Sequence, residues 1–320
     1  MLCISAEDIT KIASCQELVM AVEKAMVMYE KKEFYMPHRM HLDYNGNTLL
    51  LMPCFAPESM ATKLVSLFPG NVEKGKPVIS GIVILNDAGT GEPMAVFNGA
   101  KLTAVRTGAV GGVGVRHLSD PAINTIGIIG TGIQGFHQAI FACAVRGIQK
   151  IYVYDTDPDA IEPFKTQFNF YYPRVTIEPA SSVNDLVSGS ELIITATTSE
   201  TPVISDDKNL VSGKKFIGLG SYKPNMREFP ESLFRSLEQM FIDTGHAIDE
   251  TGDLIDPLEQ GWIRKDQVFT IGKLVLGEKK VDFSETNLFK SVGMALFDLV
   301  VSDYLYQTAM EQGIGTEVEL

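Results

Sequence analysis

Residues 125–135 read T-I-G-I-I-G-T-G-I-Q-G, a short apolar run that ends in a glycine-rich turn. The run is Ile126 to Ile129, and the glycines of the turn are Gly130, Gly132 and Gly135. The first of these glycines permits a tight turn, the second lets the backbone approach a bound group, and the third lets strand and helix pack closely. The stretch therefore predicts a buried strand, a turn built for close approach, and the start of a helix.

The residues after this turn continue the pattern. A helical pattern runs from Phe136 to Arg146, a second strand is predicted from Lys150 to Tyr154, and Asp155 follows it. The N–H groups of a new helix favour negative charge, and an acid at this spacing can accept hydrogen bonds from an adenosine ribose. The alternative is a glycine-rich turn in some other α/β protein. The order strand, turn, helix, strand and acid favours a segment that binds NAD(H).

Length and composition limit the class of protein. A chain of 320 residues predicts two lobes, and 45 % hydrophobic with 21 % charged residues is typical of a globular protein. The formal charge of −13 would repel phosphate backbones and anionic lipid, so we expect no nucleic acid or membrane partner. The cysteines are scattered without metal-ligand spacing, which predicts free thiols in the cytoplasm and no metal site. They are Cys3, Cys15, Cys54 and Cys143.

The first 120 residues predict a separate lobe with a mostly antiparallel sheet. Ser14 and Glu17 form a capping box before a helix whose apolar positions recur at helical spacing. Asn45-Gly46 is a hairpin signal. The predicted strands are His41–Tyr44, Thr48–Met52, Lys63–Phe68, Val78–Leu85 and Pro93–Phe97.

Three cations of this lobe lie in apolar or turn segments. Arg39 follows a Met-Pro-His turn, Lys63 starts an apolar strand, and Arg106 lies within a glycine-rich helix predicted from Lys101 to His117. A charge inside an apolar segment costs free energy unless it is paired or faces a cleft. Each cation therefore pairs with an acid that the sequence does not identify, or it faces a binding site. For the four helix glycines we expect close packing against another backbone.

The residues after 150 predict further alternation of strands and helices, which favours a doubly wound Rossmann sheet. The acidic segment Ile248 to Gln260, which contains Asp253, is predicted to be a solvated helical face. Residues Leu288 to Met310 are predicted to form one long amphipathic helix. The predicted strands are Val175–Ile177, Leu192–Thr195, Lys215–Leu219 and Gln239–Asp243.

Several motifs occur together in a characteristic order. They are N-D-x-x-T-G-E-P (Asn86 to Pro93), L-T-A-V-R-T-G-A (Leu102 to Ala109), the glycine-rich turn, and F-K-S-V-G-M-A-L-F-D-L (Phe289 to Leu299). With them the chain resembles the ornithine cyclodeaminase/mu-crystallin family almost from end to end. The resemblance implies an α/β substrate-binding and dimerisation lobe, residues 1–120 with a C-terminal helix at about 300–320, and a Rossmann lobe, residues 121–299.

The resemblance also implies roles for individual residues. Arg39 matches the arginine that binds the substrate carboxylate, Lys63 the catalytic lysine at the reacting carbon, and Arg106 the arginine between substrate and nicotinamide. Val292 matches a residue near the substrate. The residues that match cofactor contacts are Gly130, Gly132, Ile133, Gln134, Asp155, Thr197, Leu219 and Ser291.

One motif departs from the family. Cyclodeaminases have G-G-D-C-P where this chain has G-S-Y-K-P, so Tyr222 replaces the aspartate that handles the side-chain amine. A phenol with a pKa of about 10 is a poor partner for an ammonium group, and Lys223 would add repulsion. The lysine of a following P-G-K motif is replaced by Met226. The departure argues against ornithine cyclodeamination.

The sequence thus predicts an NAD(P)H-dependent oxidoreductase that acts on a small α-imino or α-keto/amino acid, as ketimine reductases and alanine dehydrogenases do. We expect NAD rather than NADP, because Asp155 would repel a 2′-phosphate, and we expect a homodimer. Two alternatives remain at this point. One is an ornithine cyclodeaminase that releases ammonia, and the other is a mu-crystallin-like protein that binds NADPH or a small ligand without turnover.

Overall fold

The computed structural model describes residues 1–319 and divides into two compact units. The first unit is Met1–Arg106 with Met294–Leu320, and the second unit is Thr107–Gly293. The first segment contains β1 (Leu2–Ile4), α1 (Ala6–Ile12), α2 (Cys15–Lys31), β2 (Met40–Tyr44), β3 (Asn47–Phe55), β4 (Ser59–Leu67), β5 (Ile79–Asp87), β6 (Pro93–Asn98) and the start of α3 (Gly99–Leu118), which continues into the second unit.

The second unit alternates strands and helices, and the chain then returns to the first unit. The elements of the second unit are β7 (Thr125–Ile129), α4 (Ile133–Val145), β8 (Lys150–Tyr154), α5 (Ile161–Tyr171), β9 (Thr176–Pro179), α6 (Val183–Gly189), β10 (Leu192–Thr195), α7 (Lys208–Val211), β11 (Lys215–Gly218), α8 (Glu231–Arg235), β12 (Met240–Ile242), α9 (Ala247–Glu250), α10 (Gly252–Glu259), β13 (Val268–Thr270), α11 (Ile271–Val275) and β14 (Asn287–Lys290). The returning segment forms α12 (Ala295–Gln312) and β15 (Thr316–Glu317).

The sheet of the first unit has seven strands in the order β15-β1-β6-β5-β4-β3-β2. Only the β1–β6 pair is parallel among its described strands, so the predicted antiparallel character is confirmed. The β2–β3 hairpin turns at Asn45 and Gly46, whose φ angles are 49° and 73°. Two-residue hairpin turns require such positive φ angles, which Asn and Gly adopt more readily than other residues. Helix α12 packs on β3, β4 and β5 and against α2, which places the core of the unit between this helix pair and one sheet face.

The sheet of the second unit has eight parallel strands in the order β13-β12-β14-β11-β10-β7-β8-β9. From β7 the chain first adds strands on one side, β8 and β9, and then on the other side, from β10 onward. The order therefore reverses between β7 and β10, and ligands of such sheets bind at the carboxyl ends of the strands at that point. The predicted doubly wound α/β fold is confirmed.

Helix α3 confirms the prediction of a glycine-rich helix, but Gly108, Gly111 and Gly114 make room for side chains rather than for another backbone. A Cβ atom at Gly114 would lie 2.7 Å from the ring of Phe289, and one at Gly111 would overlap the side-chain amide of Gln138. Gln138 donates to the carbonyl oxygen of Thr107 and so ties α4 to this helix. No helix among residues 1–319 is both long and apolar enough to span a membrane.

Two predictions about the later part of the chain are wrong. Residues 288–290, the start of the predicted helix, are not helical, because they belong to β14 and pair with β11 and β12 inside the parallel sheet. The helix starts only at Ala295, after Gly293 at φ 78°, and its first eight residues are buried on every side, so this half is not amphipathic. Asp253 is not solvated, since it is fully buried at the start of α10.

Candidate active site

The first unit places Lys63 on the face of β4 that α12 covers. The residue is only 4 % exposed, and its Nζ lies 2.9 Å from Oδ2 of Asp298. Asp298 belongs to the first turn of α12 and is 1 % exposed. A negative charge in the first turn of a helix is stabilised by the helix dipole. A buried ammonium group and a buried carboxylate therefore face each other in the core of this unit.

The two predicted arginines accompany this pair. Arg106 lies in α3, is 8 % exposed, and places Nε 3.3 Å from Oδ1 of Asp298. Arg39 precedes β2, is half-buried, and lies near enough to Lys63 to influence its charge. The structure thus brings the three predicted cations together, with Lys63 and Arg106 at the carboxylate of Asp298 and Arg39 near Lys63. We refer to Arg39, Lys63, Arg106 and Asp298 as the lysine cluster.

The protonation of Lys63 follows from its surroundings. Burial is the main cause that lowers the pKa of Lys63, and Arg106 and Arg39 lower it further, while Asp298 raises it; the result is about 8. Burial thus has a larger effect on this pKa than either arginine. With a pKa of about 8, Lys63 can give up and regain a proton close to neutral pH.

Asp298 is the residue of this cluster that the sequence argument missed. It lies in the stretch A-L-F-D-L-V-V, where its charge is surrounded by apolar residues. The cost of burying an unpaired charge, which singled out Arg106, applies equally to an aspartate in such a stretch. The same criterion applied to acids would have found Asp298, although its partners are far away in sequence.

The second unit builds the glycine-rich turn as predicted. Gly130 has a φ of 93°, and a Cβ atom there would lie 2.7 Å from the carbonyl oxygen of Ala196. A Cβ atom at Gly135 would overlap the carbonyl oxygen of Gly130, whereas one at Gly132 would meet open space. Ile133 begins α4 and is exposed, and Gln134 is half-buried. The amino end of a thirteen-residue helix is therefore open at Gly132, where no side chain fills the space.

Asp155 follows β8 and is tied to this turn. Its Oδ2 accepts hydrogen bonds from the backbone N–H of Thr131 at 2.7 Å and from the Thr131 hydroxyl at 2.8 Å, and its Oδ1 accepts one from the N–H of Asp157. Burial acts to raise the pKa of Asp155, but the hydrogen bonds from Asp157 and Thr131 outweigh it and lower the pKa below the ordinary value. Asp155 is therefore a carboxylate at neutral pH.

The other predicted cofactor residues follow the central strands. Thr197 comes after β10, Leu219 directly after β11, and Ser291 directly after β14, followed by Val292, which was predicted to lie near the substrate. These three strands are neighbours in the sheet, so their carboxyl ends meet at one edge together with that of β7. The structure thus assembles the predicted cofactor residues at the edge where the strand order reverses.

A buried acid that the sequence argument missed connects these loops. One oxygen of Glu228 accepts hydrogen bonds from the N–H and the hydroxyl of Thr197, both at 2.8 Å. The other accepts from the N–H groups of Gly220 at 3.0 Å and Ser221 at 3.2 Å. Glu228 therefore holds the loops after β10 and β11 in a fixed relation.

Lys290 and Asp253 complete a second buried group of charges around this acid. Nζ of Lys290, at the end of β14, lies 3.3 Å from Asp253 and 3.7 Å from Glu228, and all three residues are fully buried. Asp253 accepts hydrogen bonds from the N–H groups of Glu228 and Phe229. We call Glu228, Asp253 and Lys290 the buried ion cluster.

Asp243, at the end of β12, fixes the loop that contains Ser291 and Val292. Its Oδ2 accepts hydrogen bonds from the Ser291 hydroxyl at 2.6 Å and from the N–H groups of Val292 and Gly293 at 3.1 and 2.7 Å. The pKa of Asp243 is raised above its ordinary value, because the effect of burial is larger than the opposing effect of these hydrogen bonds. Two of the predicted site residues are thus positioned by an acid that the sequence argument did not identify.

The loop after β11 carries the departure from the cyclodeaminase motif. Tyr222 is exposed, and Nζ of Lys223 lies 5.5 Å from the centre of its ring. Met226 is buried. Among residues 1–319, no group of three or more His, Cys, Asp or Glu side chains is arranged to hold a metal ion.

Comparisons with known proteins agree with these observations. The model of the ornithine cyclodeaminase/mu-crystallin family matches residues 2–313. The chain is 34 % identical to a Δ1-pyrroline-2-carboxylate reductase of Bacillus cereus over the full length of both proteins. The solved structure of Thermococcus litoralis Δ1-pyrroline-2-carboxylate reductase in complex with NADH and L-proline superposes with a TM-score of 0.91 at 31 % identity, covering 99 % of this chain and 100 % of that one.

A second solved structure is an archaeal alanine dehydrogenase dimer with bound NAD, similar at 25 % identity and a TM-score of 0.90, with 100 % of this chain and 99 % of that one covered. The resemblance inferred from the motifs is confirmed by the family match. The chain belongs to the ornithine cyclodeaminase/mu-crystallin family.

Proposed function

We propose that this protein is an NADH-dependent reductase of small α-imino acids, with a cyclic imine such as pyrroline-2-carboxylate as substrate. The observation that carries the proposal is the lysine cluster, which holds a proton donor with a pKa of about 8 beside two arginines. Similarity at 34 % and 31 % identity to two pyrroline-2-carboxylate reductases supports the choice of imine.

The second unit fits a dinucleotide. The space beside Gly132 and the open amino end of α4 suit a pyrophosphate, because no side chain fills the space at Gly132 and the helix N–H groups favour negative charge. The ionised carboxylate of Asp155 suits a ribose with free hydroxyl groups. Thr197, Leu219 and Ser291 would line the same edge. When bound, NADH supplies the hydride that the imine carbon receives.

The residues of the first unit would carry the remaining steps. Arg39 and Arg106 bind the carboxylate of the substrate and fix the position of its imine carbon. Lys63 donates a proton from Nζ to the imine nitrogen while the carbon receives a hydride, so the C=N bond becomes CH–NH. Lys63 is left as a neutral amine and regains a proton from water.

Two other functions are less well supported. A cyclodeaminase needs a partner for the side-chain amine of ornithine, and this chain has Tyr222 with Lys223 beside it. A binding protein without turnover would not need a buried lysine whose pKa is lowered to about 8. The second candidate is oxidation of an amino acid, which would use the same residues of this chain in the reverse direction. An archaeal alanine dehydrogenase is among the similar proteins.

A substrate panel tests the proposal. Pyrroline-2-carboxylate, piperideine-2-carboxylate, pyruvate with ammonia, and ornithine are each incubated with NADH or NAD, while nicotinamide absorbance and ammonia are followed. We expect stoichiometric NADH oxidation with a cyclic imine, and little ammonia from ornithine. Ammonia and proline formed from ornithine at about 1 s⁻¹ or faster, without net change in NADH, would instead establish the lyase.

We infer further that the protein forms a homodimer through the sheet of the first unit. Met40, Leu51, Leu64 and Ile82 lie directly opposite one another across β2, β3, β4 and β5, so their side chains share one sheet face. Met40 is 46 % and Ile82 39 % exposed, and Leu42 on β2 is 53 % exposed. An exposed apolar face of this kind is typical of an association surface, and the related archaeal alanine dehydrogenase is a dimer.

We place the protein in the cytoplasm. All four cysteines, Cys3, Cys15, Cys54 and Cys143, are free thiols. Free thiols persist in a reducing compartment.

A further inference from the structure

Asp298 is the group around which two cations of the lysine cluster are arranged. Oδ2 lies 2.9 Å from Nζ of Lys63, and Oδ1 lies 3.3 Å from Nε of Arg106. Each oxygen thus faces a different cation, and the side chains involved are 5 %, 10 % and 1 % exposed for Lys63, Arg106 and Asp298. Because the carboxylate is planar and short, the positions of its two oxygens determine how far apart the two cations lie.

The backbone that carries Asp298 is held firmly. Asp298 belongs to the first turn of α12, in a stretch from Ala295 to Ser302 that is entirely buried. The helix packs directly on β4, which carries Lys63, and on the neighbouring strands β3 and β5. Helix and strand are rigid elements, so the distance between the carboxylate and the ammonium group is set by core packing rather than by a loop.

We propose that Asp298 is the positioning residue of the active site: its carboxylate aligns Lys63 with Arg106 and holds the Lys63 proton in place until it is transferred to the imine nitrogen. This inference rests on the proposed imine reduction. Asp298 itself neither donates the proton nor contacts the cofactor in this scheme, and it acts only through its two cationic neighbours.

The charges around Lys63 determine the sign of the expected effect. Asp298 from α12 favours the ammonium form, whereas Arg106 from α3 and Arg39 from the segment before β2 oppose it. Cys54 of β3 lies close to Asp298, but burial raises the pKa of its thiol to about 12, so it stays neutral. Loss of the Asp298 charge would therefore lower the pKa of Lys63 below its present value of about 8.

The pH dependence of imine reduction tests this inference. Lys63 must be protonated to act as an acid, so kcat should fall as the pH rises through its pKa of about 8. In Asp298→Asn, which keeps the shape of the side chain, this decline should move to lower pH by about 1 unit or more, the size expected for removal of an opposite charge. NADH affinity, measured by fluorescence titration, should stay within about twofold, because only the first unit is altered.

Asp303→Asn is the matched control. Asp303 lies on the same helix about one and a half turns later, and its charged neighbours are Lys24 and Glu58. This variant should keep the wild-type pH profile. An unchanged profile in a folded Asp298→Asn protein would overturn the positioning role, whereas absence of imine reduction in the wild type would overturn the proposed function instead.

Asp298→Glu covers the case in which the asparagine variant does not fold. The longer side chain keeps the charge but displaces it by one methylene group. We expect kcat to fall about tenfold or more, as for a misplaced catalytic group. The pH at which kcat declines should stay near the wild-type value, and the affinity for NADH should not change. Wild-type kcat in Asp298→Glu would show that the position of the carboxylate does not matter.

Discussion

The ammonium group of Lys63 lies on a sheet face where water cannot solvate it, and this determines its chemistry. Burial lowers its pKa, and the two arginines add to this effect. Asp298 acts in the opposite direction and prevents the loss of the proton at neutral pH. The balance leaves Lys63 protonated at pH 7 and able to release its proton.

Replacement of Lys63 by alanine should therefore remove the proton donor without disturbing the nucleotide. We expect kcat for imine reduction to fall by roughly 10²-fold or more, the range for loss of a general acid. The Kd for NADH, measured by fluorescence titration, should change little, because Lys63 belongs to the first unit. Near-wild-type kcat on the true substrate would show that another group supplies the proton.

Asp155 is the residue that should determine the choice of nucleotide. Its carboxylate is ionised and follows β8, and a 2′-phosphate at the ribose would meet this charge. The wild-type protein should prefer NADH, and Asp155→Ser should narrow the preference, as shown by the ratio of kcat/KM for NADH and NADPH.

Asp157→Ser is the control for Asp155→Ser. Asp157 caps the short turn that follows, where its carboxylate accepts a hydrogen bond from the N–H of Asp159. We expect this variant to retain the preference for NADH. A wild-type kcat/KM about tenfold higher for NADPH, equivalent to about 1.4 kcal/mol, would contradict the assignment of Asp155.

At the scale of elements, the buried ion cluster holds the strand ends of the second unit together. Glu228 receives hydrogen bonds from the loops after β10 and β11, and Lys290 contributes the end of β14. Three neighbouring strands thus end at a single group of charges. Because these loops contain Thr197, Leu219 and Ser291, the cluster shapes the edge where we place the nucleotide.

Glu228→Gln tests this function of the cluster. The NH₂ group of the glutamine would face N–H groups that themselves donate hydrogen bonds to Glu228. Lys290 would also lose one of its two counter-charges. We expect the free energy of unfolding to decrease by about 3 kcal/mol, as when a buried ion pair is broken, and the Kd for NADH to increase. Denaturant unfolding and fluorescence titration measure the two effects.

Glu231→Gln is the control for this variant. Glu231 lies three residues further along the chain, in α8, and forms an exposed ion pair with Arg235 at 2.6 Å. Loss of such a pair should change the free energy of unfolding by less than about 1 kcal/mol. Equal decreases in the free energy of unfolding for the two substitutions would show that the buried ion cluster stabilises the protein no more than an exposed ion pair does.

Local sequence patterns predicted those elements whose signals lie within a few residues. The turn at Gly130 to Gly135 and the strand Leu192–Thr195 are where the sequence indicates, because strand, glycine and helix signals follow one another directly. The sequence wrongly predicts a helix for residues 288–290, because their strand character depends on pairing with β11 and β12, which no local pattern reveals.

The same limit explains the acids that were missed or misplaced. Asp298 pairs with Lys63, and Asp253 pairs with Lys290, in each case across a long separation in sequence. A segment rich in acids suggests a solvated face, and only the fold shows that Asp253 is buried. Cations in apolar stretches were recognised by the cost of burying their charge, and the partner carboxylates could have been found by the same criterion.

At the scale of the whole molecule, two effects on association oppose each other. The formal charge of −13 repels a second copy, whereas the apolar row of Met40, Leu51, Leu64 and Ile82 favours association. Screening lengths near physiological salt are only about 8 Å, so the repulsion is weak and contact between apolar faces should dominate.

Ile82→Lys should therefore convert the dimer into a monomer. Size-exclusion chromatography with light scattering should give twice the mass of one chain for the wild type and the mass of a single chain for the variant. Val72→Lys is the control, since Val72 is exposed but lies in the 3₁₀ turn between β4 and β5, outside the row. A monomeric wild type would rule out the proposed association.

The return of the chain to the first unit has a consequence for synthesis. The strand that carries Lys63 leaves the ribosome before the second unit, whereas α12, with Asp298, and β15, which pairs with β1, leave it only after the second unit. At roughly 5–20 residues per second, the second unit is completed some seconds before the first can close its core. During that interval the sheet face of the first unit is not covered by α12, and Lys63 lacks the carboxylate of Asp298. A premature stop before residue 294 would make this exposure permanent. Such a truncated chain would be a substrate for chaperones and proteases rather than a shorter enzyme.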